Sequence, residues 1–222
     1  VEKAIADFQE KYTNAYREGD GSYTAAAIML NPNNGEIYAM ASNRHYDLNQ
    51  PYDVVANGLY TEEEAANLTE EERLNALNEL WRNFCISDTY EPGSVAKSIT
   101  IAGALEEKAI TPNTTFDCQG YIELNDGIHT WRIRCHNRNG DGVLDATMGL
   151  AKSCNVYLMN TAFNEGAENF VKYQHIFGFG EYTGIDLPAE ADTTELVYNA
   201  ENMGRTALAT NSFGQNFNVT MI

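Results

Sequence analysis

No apolar run in this sequence approaches the roughly 20 residues that a membrane-spanning helix needs. Basic residues are scarce. Lysine and arginine number 14 against 32 acidic residues, a formal net charge of -18. That balance argues against nucleic acid and anionic membrane surfaces as partners, because both are held by basic patches. Cysteine is sparse too: Cys85, Cys118, Cys135 and Cys154 include no Cys-x-x-Cys spacing, so their order predicts neither a metal site nor a cofactor. The histidines, His45, His129, His136 and His175, show no paired metal spacing either and read as structural or exposed. No internal repeat and no low-complexity linker breaks the chain, which argues for one domain over residues 1–222.

What is present suits a folded domain. Apolar residues make up 43% and charged residues 21% of the 222, an ordinary globular composition. Ile5, Phe8 and Tyr12 are spaced for a helix over residues 1 to about 18. Residues 23–30 read as a buried strand, 31–35 as a turn and 36–41 as the partner strand. Two capping boxes follow, Thr61-x-x-Glu64 and Thr69-x-x-Glu72, the second predicting a helix through Leu74, Leu77, Leu80, Trp81 and Phe84. Residues 94–108 predict a buried helix stopped by Thr111-Pro112. Short strands follow over 116–145, then helices at about 147–163 and 167–177, the last ending at Gly178.

The chemistry-bearing pattern is Glu91-Pro92-Gly93-Ser94-Val95-Ala96-Lys97. Pro92-Gly93 delivers Ser94 to a helix start. Positions i and i+3 share a helical face, which places a lysine within reach of the serine hydroxyl. Burial of that lysine is costly while it is charged, so it can serve as the base an isolated serine lacks. A second cluster, Ser153-Cys154-Asn155, supplies another hydroxyl and an amide. Together the two clusters point to acyl-serine chemistry. Lys152, one residue along, is read as solvent-facing. Asn137-x-Asn139-x-Asp141-Gly142 opens like a calcium loop, but its twelfth position is Met148, so an ordinary Asn/Gly turn is the better reading.

Several pieces occur in the order of a known family. Asn31-Pro32-Asn33-Asn34-Gly35-Glu36-Ile37-Tyr38-Ala39-Met40 resembles its first hairpin, Glu91 to Lys97 its nucleophile motif, and Ser153-Cys154-Asn155 its Ser-x-Asn motif. Phe177 to Gly180, Thr183 to Glu190, and Ser212-Phe213-Gly214-Gln215 to Val219-Thr220 resemble the later segments. The chain thus resembles the transpeptidase domain of a class B high-molecular-weight penicillin-binding protein. The resemblance implies an α/β (α+β) fold of the penicillin-binding-protein/serine β-lactamase type, helices around an antiparallel sheet of about five strands. One motif is missing. None of Lys3, Lys11, Lys97, Lys108, Lys152 and Lys172 is followed by Thr-Gly or Ser-Gly, the family's third motif. On the resemblance, the last helix and remaining strands lie beyond Ile222, the domain is partial, and any membrane anchor lies upstream of Val1.

The resemblance further implies a site of Ser94 as nucleophile, Lys97 as general base, Ser153 as proton carrier and Asn155 as orienting amide, with no cofactor and no metal. Peptidoglycan stem peptides are the implied substrate, β-lactams the implied inhibitors, and cell-division or elongation proteins the implied partners of the full-length protein. The implied place is the extracytoplasmic face of the bacterial cytoplasmic membrane. Three rivals share these motifs: a penicillin-sensing domain, a serine β-lactamase and a non-catalytic cell-wall scaffold. The β-lactamase reading needs a device that activates water. Glu123-Leu124-Asn125 is spaced wrongly for one and reads instead as a hairpin end running into Asp126-Gly127. Cys118 and Cys135 flank this hairpin and stand either as a disulfide or, the favoured reading, as two reduced thiols.

Overall fold

The computed structural model describes residues 1–125 and 129–222, and the Asp126-Gly127 turn lies outside the described residues. The chain divides into two compact units. The first comprises Val1–Asp88, Asp186–Ala191 and Thr220–Ile222. Its opening helix α1, Glu2–Lys11, is shorter than the apolar spacing predicts. Beyond Tyr12 the chain closes a turn instead: Asn14 adopts a φ of 57°, and its Oδ1 accepts from the Gly19 N–H at 2.8 Å. Asparagine tolerates that left-handed backbone and supplies the turn's side-chain acceptor, so it ends the helix.

Strands β1, Ala26–Leu30, and β2, Ile37–Ser42, pair antiparallel from Ala26 opposite Ser42 to Leu30 opposite Ile37, with an irregularity between Met29 and Leu30. Both capping boxes form. The Thr61 N–H donates to Glu64 Oε2 at 2.8 Å and starts α2, Glu62–Asn67. Thr69 repeats the geometry with Glu72 and starts α3, Glu70–Trp81. Each cap is worth about 1 kcal/mol. The expected run to Phe84 is interrupted, because Asn83 caps a separate short helix α4, Phe84–Ser87, through its Oδ1. Asparagine competes with the helix by bonding local backbone, which explains the break. Leu77 is buried with Val54 and Ala65, but Leu74 stays exposed, so the apolar stripe is narrower than its sequence suggests. Helix α4 packs against both strands of the hairpin.

The second unit, Thr89–Ile185 with Asp192–Val219, holds the motif residues. A short 3-10 turn, Gly93–Ala96, leads into α5, Lys97–Glu106. Strands β3, Phe116–Cys118, β4, Tyr121–Asn125, β5, Thr130–Arg134, and β6, Gly142–Leu144, form two antiparallel pairs, β3 with β6 and β4 with β5. On the β4–β5 pair, Glu123 accepts from Arg132 Nε at 3.0 Å, a cross-strand ion pair. Four helices follow: α6, Ala146–Ala151; α7, Asn155–Glu165; α8, Ala167–Ile176; and α9, Arg205–Asn211. Helix α7 is the buried axis, with Val156, Tyr157, Leu158, Met159 and Ala162 at most 1% exposed, and α5, α8 and α9 pack around it. Among the described residues no helix is long and apolar enough to cross a membrane.

The single helix expected over 147–163 is two helices, and the break falls on the second motif. Helix α6 ends in a Schellman turn. The Ser153 N–H donates to the Leu150 carbonyl at 2.9 Å and the Cys154 N–H to the Gly149 carbonyl at 2.9 Å. That motif asks for a left-handed residue, commonly glycine, at the position Ser153 holds with a φ of 52°. A non-glycine residue there stores about 1 kcal/mol or more of strain. Cys154 then caps α7, its Sγ accepting from the Tyr157 N–H at 3.4 Å.

Candidate active site

Ser94 lies on the 3-10 turn and is exposed, open to a reactant. Lys97, one turn on, is 1% exposed. Its Nζ donates three bonds of 2.7 Å, to the Ser153 carbonyl, to Ser153 Oγ and to Asn155 Oδ1. Three acceptors match the three protons of an ammonium and leave none over. Ser153 Oγ in turn donates to Ser94 Oγ at 3.0 Å. Among the described residues Lys97 makes no hydrogen bond to Ser94. The structure therefore brings all four predicted residues together, but Ser94 meets Lys97 through Ser153 rather than face to face across the helical turn. Burial pushes Lys97 below the usual lysine range, and the neighbouring Cys135 and Cys154 oppose that shift. Lys152 is exposed, as its position one residue along implies.

The left-handed backbone of Ser153 has a consequence here. It lets the carbonyl and the hydroxyl of one residue turn toward the same ammonium, which a helical residue at this position could not do. Asn155, opening α7, adds its side-chain oxygen from the first helical position.

The nucleophile turn is clamped by the segment after α9. The Gly93 N–H donates to the Gly214 carbonyl at 2.8 Å, Thr100 Oγ1 to the Ser212 carbonyl at 2.9 Å, and the Asn216 N–H to Glu91 Oε1 at 2.7 Å. Tyr90 and Val219 bridge antiparallel. Gly214 has a φ of 81°, and a Cβ there would lie 1.9 Å from the Gly93 carbonyl oxygen. Gly214→Ala should cost at least about 2 kcal/mol of stability through strain and overlap. It should also displace Ser94. Urea midpoints measure the first effect, and a loss under 0.5 kcal/mol would contradict the clamp.

Beside Asn155 opens a groove of about 660 Å³, lined among others by Arg132, Arg134, His136, Arg138 and Gln215. It is a local cationic surface on an acidic chain.

All four cysteines are buried and free, so the reduced reading of Cys118 and Cys135 describes this structure. Their spacing in sequence hid a grouping in space. The sulfurs of Cys118, Cys135 and Cys154 and a carboxylate oxygen of Asp141 lie within 4.8 Å of one another. These are the residues able to hold a metal ion among those described.

The model of one protein family, described as the penicillin binding protein transpeptidase domain, matches residues 25–222. The chain belongs to that family. Its curated relatives in the penicillin-binding-protein family include stage V sporulation protein D of Bacillus subtilis (strain 168), 34% identical over 197 residues, covering 88% of this chain and 26% of that protein. Peptidoglycan D,D-transpeptidase MrdA of Escherichia coli (strain K12) is 29% identical over 166 residues, covering 75% of this chain and 24% of that protein. The chain thus spans about a quarter of the length of these relatives. A peptidoglycan glycosyltransferase from Burkholderia ambifaria superposes with a TM-score of 0.70 at 21% identity, over 98% of this chain and 53% of that one. The penicillin-binding protein PBP2, solved in complex with MreC from Helicobacter pylori, gives 0.67 at 24% identity, over 88% and 36%. These likenesses show the fold of this penicillin-binding-protein chain, a mixed α/β arrangement of helices and antiparallel strands.

Proposed function

We propose that this chain is the nucleophile-bearing part of a serine D,D-transpeptidase that cross-links peptidoglycan stem peptides outside the cytoplasmic membrane. The observation that carries the reading is the hydrogen-bonded line from exposed Ser94 through Ser153 to buried Lys97. In the resting arrangement protons point outward along it, from the Lys97 ammonium to Ser153 and from Ser153 to Ser94. Burial lowers the cost of removing one proton from Lys97. Its lone pair then accepts from Ser153, Ser153 accepts from Ser94, and both hydroxyls turn in place.

In this reading Ser94 Oγ attacks the carbonyl between the two terminal D-alanines while its proton passes through Ser153 to Lys97. The C–N bond breaks, and the same line returns the proton to the departing D-alanine amine. An amine of a second stem peptide attacks the acyl-serine, and Ser94 regains its proton as the new amide forms. The Ser94 N–H, at the start of its turn, supplies one donor to the oxyanion. The second comes from the Lys-Thr-Gly or Lys-Ser-Gly strand, absent from these 222 residues. We read residues 1–222 as a partial transpeptidase domain for that reason. The arginine-lined groove beside Asn155 suits the carboxylates of an acidic stem peptide. β-Lactams enter as analogues that acylate Ser94. Elongation or division proteins are partners of the whole protein, in keeping with the MreC complex of the H. pylori relative.

Fluorescent penicillin tests the reading. The whole protein should carry one label, located by peptide mass spectrometry on Ser94 and abolished in Ser94→Ala. The 222-residue chain by itself should label about a hundredfold to a thousandfold more slowly, the usual loss for one missing oxyanion donor. A label on another residue, or undiminished labelling of Ser94→Ala, would overturn the assignment.

A further inference from the structure

We propose that the groove bearing Arg134 and Arg138 is a specificity subsite for internal carboxylates of the stem peptide, those other than the C-terminal one, and that it favours free acids over carboxamides there. The inference rests on the acyl-transfer reading and adds a selectivity to it.

The first ground is where the positive charge lies. The chain carries 14 lysines and arginines against 32 acidic residues, yet Arg132, Arg134, His136 and Arg138 fall within seven consecutive residues and line one groove. Among the described residues no aspartate or glutamate lines it. Arg132 is already committed to Glu123, to which its Nε donates at 3.0 Å. The side chains of Arg134 and Arg138 are exposed and make no hydrogen bond or ion pair among the described residues. Water satisfies an exposed guanidinium, so exposure alone does not make a site. Position does.

The second ground is the link to the reacting line. Asn155 Nδ2 donates to the Arg134 carbonyl at 3.5 Å, while its Oδ1 accepts from Lys97 at 2.7 Å. From Ser94 through Ser153, Lys97 and Asn155 to Arg134 the contacts are four, none longer than 3.5 Å. Thr210, Phe213 and Gln215 also line the groove. They belong to the segment whose Gly214 carbonyl accepts from the Gly93 N–H beside the nucleophile. Both linings are thus bonded to the site. A peptide with its reacting carbonyl at Ser94 extends about 3.3–3.6 Å per residue, which brings its neighbouring residues to the groove.

The third ground is that the backbone carrying the two arginines is fixed. Arg134 stands on β5 opposite Tyr121. Beyond it the Cys135 N–H donates to the Gly120 carbonyl at 2.8 Å, and Asn137 Nδ2 donates to the Gly140 carbonyl at 2.9 Å. Gly120 has a φ of 87°, and a Cβ there would collide with the Arg138 carbonyl oxygen, so glycine is what lets the Arg138 backbone sit close. On the other lining, Asn211 Nδ2 donates to the Gln215 carbonyl at 3.1 Å. Groups held in place before binding lose less freedom when the ligand arrives.

The selectivity follows from the donor set. A guanidinium presents a planar fork of N–H donors that matches both oxygens of a carboxylate. A carboxamide offers one oxygen, no charge, and an NH2 whose donors oppose those of the arginine. The chain's net charge of -18 repels an acidic peptide at long range, but at physiological salt that field is screened beyond about 8 Å. Within that distance Arg134 and Arg138 set the sign.

The complete protein carrying Ser94→Ala binds peptide without turnover, so fluorescence anisotropy reads the groove directly. Two labelled stem peptides are compared, both ending in D-Ala-D-Ala, one with its internal carboxylates free and one with them as carboxamides. The free acid should bind about tenfold to a hundredfold more tightly, the range for charge-assisted hydrogen bonds, and the gap should narrow as salt rises. Arg134→Gln combined with Arg138→Gln should bring the two peptides to one affinity. Arg44→Gln, which removes a positive charge from the other unit, should leave the preference in place. No measurable preference for the free acid would overturn the subsite, as would a double variant that retains it. A double variant that weakens both peptides alike would overturn it too, because the arginines would then hold the C-terminal carboxylate common to both. Should the double variant fail to fold, the comparison of the two peptides on the otherwise unaltered protein still decides. The acyl-transfer reading fails by a separate result, the absence of a penicillin label on Ser94.

Discussion

Replacing Ser153 by alanine in the complete protein should slow β-lactam acylation of Ser94 about a hundredfold to ten-thousandfold, close to the loss caused by Lys97→Met. The range is that of general acid–base catalysis by a positioned group. The expectation comes from connectivity. Lys97 spends its three donors on Ser153 and Asn155, and Ser153 Oγ is the atom that reaches Ser94. If Lys97 took the proton directly, removing the Ser153 hydroxyl would leave the base in place and cost less. Stopped-flow acylation rates of Ser153→Ala, Lys97→Met and the double variant discriminate between the two. The line predicts strong non-additivity, because either single change already breaks the path. Ser153→Ala acylating within about threefold of wild type would remove the relay.

Much of this site was legible before any coordinates. Ser94 and Lys97 are local in sequence, and a turn-breaking Pro92-Gly93 followed by an apolar helix leaves few geometries for them. The two capping boxes were equally legible, since each closes between residues three apart. Pairing the first cluster with Ser153 and Asn155 drew on their chemistry and was strengthened by the family likeness, because nothing local joins residues 56 apart. What escaped the sequence depended on backbone strain and on convergence. Periodicity ran a helix straight through Ser153, since a left-handed serine carries no signal that distinguishes it from a helical one. The split is nevertheless what lets Ser153 offer two oxygens to Lys97.

The cysteines show the same limit from another side. Spacing in sequence reveals a cluster of thiols only when its members come from one knuckle or one helix. Here 17 residues separate the first pair and 19 the second, and Asp141 arrives from a separate turn. The available signals were indirect: a calcium-like turn lacking its final glutamate, and a cysteine at the variable position of Ser-x-Asn. Each had an adequate bland explanation alone, and only their meeting in space joined them.

The largest stability effect expected in this chain lies away from the chemistry, at Glu165. It closes α7, is 5% exposed, and neither carboxylate oxygen has a hydrogen-bond partner among the described residues. A negative charge at a helix C-terminus is also opposed by the helix dipole. Burial first, and the charge of Glu107 second, raise its pKa from 4.5 to about 8. Glu107 itself accepts from Lys172 at 2.6 Å and from the Tyr173 hydroxyl at 3.0 Å. The sign follows from proton binding. Below pH 4.5 the folded and unfolded chains both hold the proton. Between 4.5 and about 8 the unfolded chain releases it while the folded chain keeps it, so stability falls as pH rises, by at most about 1.4 kcal/mol per unit. Above about 8 both are ionised and the loss is complete, on the order of 3–5 kcal/mol after allowing for partial solvation. Glu165→Gln keeps the shape and removes the titration. Its stability should match wild type near pH 5 within about 1 kcal/mol, then exceed it by a growing margin that levels off above pH 8. Urea denaturation at intervals from pH 5 to 9 measures the difference directly. Parallel profiles for the two proteins would mean that Glu165 finds a partner or water in solution and carries no such penalty.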